Sequence, residues 1–336
     1  MNRTLLDILK RLPRCRIAVV GDLMLDRYLM GQATRISQEA PVPVVLVKRE
    51  NHVPGGAANV ARNVLSLGAR VSVYGCLGDD EEGRNLASLL KEAGADTQGV
   101  VTLPGSHTTV KTRVLAGNQQ VVRVDRETPG DILPEARQKI LEALEKELSS
   151  GKVDALVMED YAKGIFTREF MAQVAELARS RQVMSTLDPH PTHPFDVKGL
   201  TLMTPNRMEA FALAELPYVP GTGDPLHDAA LAKVGRVLLE RWNSELLLIT
   251  LGAEGMALFR PGVAEPLVIP TRARQVFDVS GAGDTVMAAM TLAICAGASH
   301  SLAASLANEA AGIVVGYVGT RAIDAGELEQ VLKEQG

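Results

Sequence analysis

The run Asp278-Val279-Ser280-Gly281-Ala282-Gly283-Asp284 leads into an apolar, helix-like stretch from Thr285 to Ala296. Small residues at a helix start leave backbone N–H groups open to an anion, and the helix dipole adds positive potential there. A carboxylate in the same turn can take a proton from a hydroxyl that attacks the anion. An anion cradle with a base beside it is equipment for phosphoryl transfer. The same residues also suit an ordinary helix start, since Asp is a good capping residue. The turn by itself leaves both readings open.

Four other segments place polar groups at the ends of strand-like runs. Gly21-Asp22-Leu23-Met24-Leu25-Asp26 follows the first of them, and Asp26 is a candidate to accept hydrogen bonds from sugar hydroxyls. Pro54-Gly55-Gly56-Ala57-Ala58-Asn59 leads into a helix; its glycines permit close backbone approach, and the Asn59 amide can donate and accept at once. Asn206 and Glu209, at i and i+3, share a helical face and can orient magnesium waters beside a polyphosphate; they are equally a capping residue with its first-turn Glu. Thr250-Leu251-Gly252-Ala253-Glu254-Gly255 is a strand-ending turn suited to the flank of a nucleotide.

Familiar alternatives are missing. There is no G-x-x-x-x-G-K-[ST] loop, no G-x-G-x-x-G after a strand and no G-x-S-x-G elbow. His190-Pro191-Thr192-His193 is a stiff loop with no third metal ligand near it in sequence.

Those segments need a frame. Apolar runs at Arg16–Gly21, Arg70–Gly78, Ala155–Glu159, Val183–Asp188, Leu200–Thr204 and Leu246–Leu251 alternate with helical patterns. The helical patterns are Ala57–Leu67, Glu82–Ala93, Leu133–Ser149, Arg168–Ser180, Asp228–Arg241 and Ser301–Gly316. Such alternation predicts an α/β fold whose mostly parallel sheet carries helices on both faces. Ligands then bind beyond the carboxyl ends of the strands. Pro41–Lys48 and His107–Glu127 break the rhythm, the second with a hairpin around Gly117-Asn118. We read them as one small β-sheet lid, built from about residues 28–50 and 107–127, on a single domain spanning 1–336.

Composition narrows the class. The 336 residues are 46% hydrophobic and 22% charged, ordinary for a soluble globular protein, and carry a net charge of −5. That charge, with only 4% aromatic residues, argues against a nucleic-acid surface. Cys15, Cys76 and Cys295 offer neither a disulfide framework nor a zinc spacing, which favours a reducing cytoplasm. The N-terminal MNRTLLDILKRLPR reads as a short amphipathic helix, not a leader, and no apolar run approaches a membrane span.

Taken in order, Gly-Gly-x-x-Asn, Asn-x-x-Glu and Gly-Ala-Gly-Asp resemble the layout of the ribokinase-like, or PfkB, family of carbohydrate kinases, from about Ile17 to Thr320. The segments Gly21-Asp-Leu-Met-Leu-Asp26-Arg-Tyr28, Arg35-Ile-Ser-Gln-Glu-Ala-Pro-Val-Pro-Val44, Arg113-Val-Leu-Ala-Gly-Asn-Gln-Gln120, Asp160-Tyr-Ala-Lys-Gly164 and Gly312-Ile-Val-Val-Gly316 are similar to the heptose-7-phosphate kinase branch. That branch forms the N-terminal half of bifunctional ADP-heptose synthase and also occurs as a free kinase. The H-x-G-H motif of the partner half is absent here.

The resemblance implies ATP and Mg2+ and a set of roles. Asp284 is the base, and the Gly281, Ala282 and Gly283 amides stabilise the transferring group. Asp26, Gly55, Gly56, Asn59, Arg113, Gln120 and Lys163 hold a sugar phosphate. Asn206, Glu209, Thr250, Gly252, Gly255 and Asn308 face ATP, with Asn206 and Glu209 reaching magnesium mainly through water. The cations Arg35, Lys111, Arg113, Arg123 and Lys163 are candidates for the distal phosphate. A cytoplasmic homodimer joined through the lid is the implied assembly, with no nucleic-acid or membrane partner. Three departures from the pattern stand out: Val279 for the family's Thr, Ala162 for a Gly, and Asp188-Pro-His-Pro191 for Asp-Pro-Lys-Gly. Two other readings remain: a kinase for another sugar, nucleoside or sugar acid, and a non-catalytic sugar-binding or regulatory protein on the same fold.

Overall fold

The computed structural model describes residues 2–334 apart from 118, 129, 131 and 274. Helix α1 (Asn2–Leu9) buries Leu5, Ile8 and Leu9, whose spacing of three and four sets them on one face. Strand β1 (Arg16–Gly21) is followed by a long hairpin, β2 (Leu23–Ile36) and β3 (Pro43–Gly56), which runs straight into α2 (Ala57–Ser66). Strand β4 (Arg70–Gly78), helix α3 (Glu81–Glu92) and strand β5 (Asp96–Leu103) come next, then a second hairpin of β6 (Thr109–Ala116) and β7 (Gln119–Arg126). Through the middle run α4 (Pro134–Leu148), β8 (Ala155–Glu159), α5 (Arg168–Ser180), β9 (Met184–Asp188), the short β10 (Leu202–Met203) and α6 (Arg207–Leu213). Helix α7 (Ala229–Trp242) leads to β11 (Leu246–Thr250), β12 (Met256–Phe259) and β13 (Leu267–Ile269). Helices α8 (Ala282–Cys295), α9 (His300–Val314) and α10 (Ala325–Glu334) close the chain.

Among the described residues nine strands form one sheet in the order β13-β12-β11-β10-β9-β8-β1-β4-β5. It is parallel from β5 to β11 and antiparallel at the β12–β13 edge. The central strands are continuous apolar runs because both faces are covered. Along β1, Ile17 and Val19 join one core with residues of α1, α2, α8, α9 and α10, while Ala18 and Val20 join the other with α4, α5, α6 and α7. The two-residue period of a strand thus feeds both layers.

A separate four-stranded sheet, ordered β3-β2-β6-β7, stands beyond the strand ends. It is the expected lid with different bounds. Its first hairpin spans Leu23–Ile36 and Pro43–Gly56, so Pro41–Lys48 is only part of the return arm. Strand β2 escapes pattern reading because its first half is buried and its second half exposed, which leaves no alternation to detect. Asp26 therefore lies on a lid strand, not in a loop after β1. Of the expected tip, Gly117 has a φ of 62° and Asn118 lies outside the described residues.

Candidate active site

Helix α8 starts at Gly281, whose φ of 78° requires the left-handed conformation that glycine tolerates. A Cβ there would also sit 2.7 Å from the Asn59 Nδ2. This start puts Asp284 in the first turn, where the dipole favours a carboxylate. Asp284 is buried, and both of its oxygens are engaged. Asn59 Nδ2, on α2, donates to Oδ2 at 2.6 Å, and the Tyr161 hydroxyl donates to Oδ1 at 2.5 Å. Burial pushes the Asp284 carboxyl above its usual range, while the bonds from Tyr161 and Asn59 pull it back. The Ala282 amide donates to Val279 O at 3.2 Å, so part of the expected amide cradle is engaged within the turn.

The β3–α2 junction packs against this carboxylate. Gly56, at a φ of 56°, would carry its Cβ 2.7 Å from Asp22 O, and a Cβ on Gly55 would meet Asp26 Cγ at 3.0 Å. Backbone and carboxylate approach this closely only because neither residue has a side chain. Asp26 Oδ1 accepts from Arg113 on β6 at 2.6 Å, and its Oδ2 accepts from Thr320 Oγ1 at 3.0 Å. The Asn59 Oδ1 is buried without a partner among the described residues, which fits an atom kept to accept from a bound hydroxyl.

On the other side of Asp284 opens a cavity of about 700 Å3, within the size range of small-molecule sites. Gly281, Ala282, Gly283 and Asp284 form one wall. Asn206, Glu209, Thr250, Gly252, Gly255 and Asn308, named from separate stretches of sequence, all line it as well. Asn206 and Glu209 build a complete capping box on α6: Asn206 Oδ1 accepts from the Glu209 amide at 3.0 Å, and Glu209 Oε2 accepts from the Asn206 amide at 2.8 Å. Helix cap and cavity wall are the same two residues. Asn308 donates to Pro270 O at 2.8 Å.

Two expected sugar contacts lie elsewhere. Gln120 is exposed on β7, where it pairs with Leu115. Lys163 lines a second, smaller cavity of about 250 Å3 and pairs with Glu127 at 2.6 Å. Of the other candidate cations, Arg35 is exposed and Arg123 is held by Asp125 at 2.9 Å. Lys111, like Arg113, is drawn inward; its ammonium lies 5.3 Å from the centre of the Tyr161 ring. His190 lines the large cavity, while His193 turns to Asp160 at 2.8 Å. Among the described residues no group of three or more His, Cys, Asp or Glu could hold a metal directly.

Sequence reading gave no role to Tyr161, Thr320 or Glu159, and placed Asp188 only at a strand end where ligands bind. Tyr161 stands inside Asp160-Tyr-Ala-Lys-Gly164, the one available signal. Glu159 is fully buried with neither carboxylate oxygen partnered among the described residues, and burial together with Asp188 and Asp284 holds it well above the carboxylate range. Asp188 is displaced the same way, by burial and by Glu209 and Asp284. Asp284 thus stands beside two buried acids that favour their neutral forms.

A parallel sheet, a lid over its strand ends and a glycine-led helix presenting a buried aspartate define an α/β sugar kinase. The chain belongs to the pfkB family of carbohydrate kinases, whose model matches residues 15–325. Bifunctional protein HldE of Desulfatibacillum aliphaticivorans is 43% identical over 322 residues, covering 96% of this chain and 64% of that protein. Bifunctional protein HldE of Geobacter sulfurreducens is 43% identical over 310 residues, covering 92% and 61%. The chain therefore spans less than two thirds of the length of these relatives. Among solved structures, Arabidopsis thaliana ribokinase complexed with ribose and ATP superposes with a TM-score of 0.71 at 21% identity, covering 95% of this chain and 99% of that one. That likeness supports the ribokinase-like fold.

Proposed function

We propose that the chain transfers the γ-phosphoryl group of ATP to the anomeric hydroxyl of D-glycero-D-manno-heptose 7-phosphate, giving the 1,7-bisphosphate, a precursor of ADP-heptose. The observation that carries the reading is the Asp284–Asn59–Asp26–Arg113 constellation, which joins a base, a sugar-sized set of polar groups and a lid cation beside the large cavity. The similarity to bifunctional HldE proteins supports the heptose branch.

Asp284 takes the proton of the attacking hydroxyl, whose oxygen forms the new P–O bond as the bond to ADP breaks. The amides of Gly281 and Gly283 and the α8 dipole stabilise charge on the transferring group. A positioned base of this kind contributes roughly 10²- to 10⁴-fold. Asn59 Oδ1 accepts from the sugar, and Asp26 accepts from its neighbouring hydroxyls while Arg113 holds Asp26 in place. Lys111 and Arg113, on the inner lid strand, supply positive charge for the distal phosphate. Asn206 and Glu209 would hold magnesium through water; when bound, it neutralises the phosphates of ATP.

The assembly we propose is a homodimer through the lid, in the cytoplasm where ATP is available. No helix among the described residues is long and apolar enough to cross a membrane. Val124, at 56% exposure, together with Val122 two residues before it, leaves an apolar lid surface open for a second copy.

The test is an acceptor panel with ATP and MgCl2: the heptose 7-phosphate, ribose, fructose, fructose 6-phosphate and adenosine, with products read by 31P NMR. The expected result is a 1,7-bisphosphate from the heptose. Turnover of another acceptor with none of the heptose phosphate would overturn the substrate. Turnover of no acceptor would support the non-catalytic reading.

A further inference from the structure

We propose that Tyr161 is a positioning residue that fixes the Asp284 base and links it to lid strand β6. The proposal rests on Asp284 being the base. The Tyr161 hydroxyl donates to Asp284 Oδ1 at 2.5 Å while Asn59 holds Oδ2 at 2.6 Å, so the plane of the carboxylate is set from both ends. The ring between hydroxyl and backbone carries the Lys111 ammonium 5.3 Å from its centre. Lys111 stands on β6 two residues from Arg113, the partner of Asp26. One aromatic side chain therefore touches the lid with its face and the base with its oxygen.

The backbone beneath Tyr161 is tied down. Asp22, buried at the end of β1, accepts from the amides of Tyr161 at 2.9 Å, Lys163 at 3.1 Å and Ile165 at 3.2 Å. Asp160 Oδ1 accepts from the Ala162 amide at 2.9 Å. Ala162 itself sits at a φ of 53°, a strained position for a residue with a Cβ. Three anchors and a strained turn aim one side chain at the base. A phenol in this setting stays a neutral donor, since burial and the nearby Asp284 oppose its ionisation.

A donor on Asp284 favours its ionised form, so losing the hydroxyl lets the carboxyl protonate at higher pH. The other groups facing Asp284 are Asp26 from β2, Lys111 from β6, Glu159 from β8 and Asp188 from β9. Tyr161→Phe leaves them all in place, together with the ring under Lys111.

The experiment measures kcat, KM and the pH profile of kcat/KM for wild type, Tyr161→Phe and Tyr161→Ala with the acceptor that the panel identifies, and checks folding by thermal melting. For Tyr161→Phe we expect kcat to fall by roughly 10- to 100-fold, with KM for ATP changed by no more than about twofold, and the acid limb to move to higher pH. Tyr161→Ala should in addition raise KM for the sugar, because Lys111 loses its ring. Incorporation of 3-fluorotyrosine at position 161, a stronger donor of nearly the same shape, should move the limb to lower pH and covers the case of a poorly folded Phe variant. An unchanged kcat and an unmoved limb in Tyr161→Phe, with Asp284→Asn inactive, overturn the role of Tyr161 alone. An active Asp284→Asn overturns the base itself.

Discussion

At the scale of single residues, the site is governed by carboxyl groups taken out of water. Asp22 accepts three backbone amides, yet desolvation outweighs them and its carboxyl is pushed up to about 6 from 3.8. Glu159, Asp188, Asp284 and Glu209 shift in the same direction, burial being the largest cause for each. A folded-state value above the unfolded one adds stability that is complete below the unfolded value and is lost as pH rises through the folded value. For Asp22 that window runs from 3.8 to about 6. We therefore predict that the urea midpoint falls between pH 4 and about 7; a midpoint that rises steadily across that range would contradict this account. Ala162 offers a second test. Its φ of 53° suits glycine, so Ala162→Gly should raise unfolding free energy by about 0.5–1 kcal/mol, the strain relieved less the greater chain entropy of glycine, as read by urea denaturation. The need for glycine at Gly281 and Gly56 was legible because both stand in Gly-rich turns before helices. The strain at Ala162 was legible only as a departure from a resembling motif.

At the scale of elements, caps and junctions decide where the chemistry points. Asn206 satisfies the Glu209 amide, Glu209 returns the bond to Asn206, and the pair forms a wall of the nucleotide-sized cavity. Asn206→Ala should cost about 1 kcal/mol of stability through the lost cap and raise KM for magnesium–ATP as the wall loosens. Normal KM with reduced stability would assign Asn206 to the helix alone. The pattern of strands and helices was visible from Arg16 to Leu251 because buried parallel strands are continuous apolar runs with capped helices between them. Strand β2 was not, since one half of it is enclosed and the other half open. Asp26 was consequently expected in a loop, although it belongs to the lid.

At the scale of the whole molecule, the lid is both a cover and an edge. Its strand β7 is exposed throughout, and Val122 and Val124, two residues apart on it, put apolar surface on one face. A second copy over that face predicts a dimer by light scattering that Val124→Glu converts to monomer; a wild-type monomer at micromolar concentration would remove the proposal. The sequence by itself determined the sheet, the glycine-led helix start and the capped α6, because each follows from local periodicity or turn chemistry. The tertiary structure alone decided which distant groups meet. Tyr161 on Asp284, Thr320 on Asp26, and the burial of Glu159 and Asp188 join residues far apart in the chain, and no local pattern records them. Hydrogen-bond partners and desolvation depend on distances through space, and those exist only once the layers have packed.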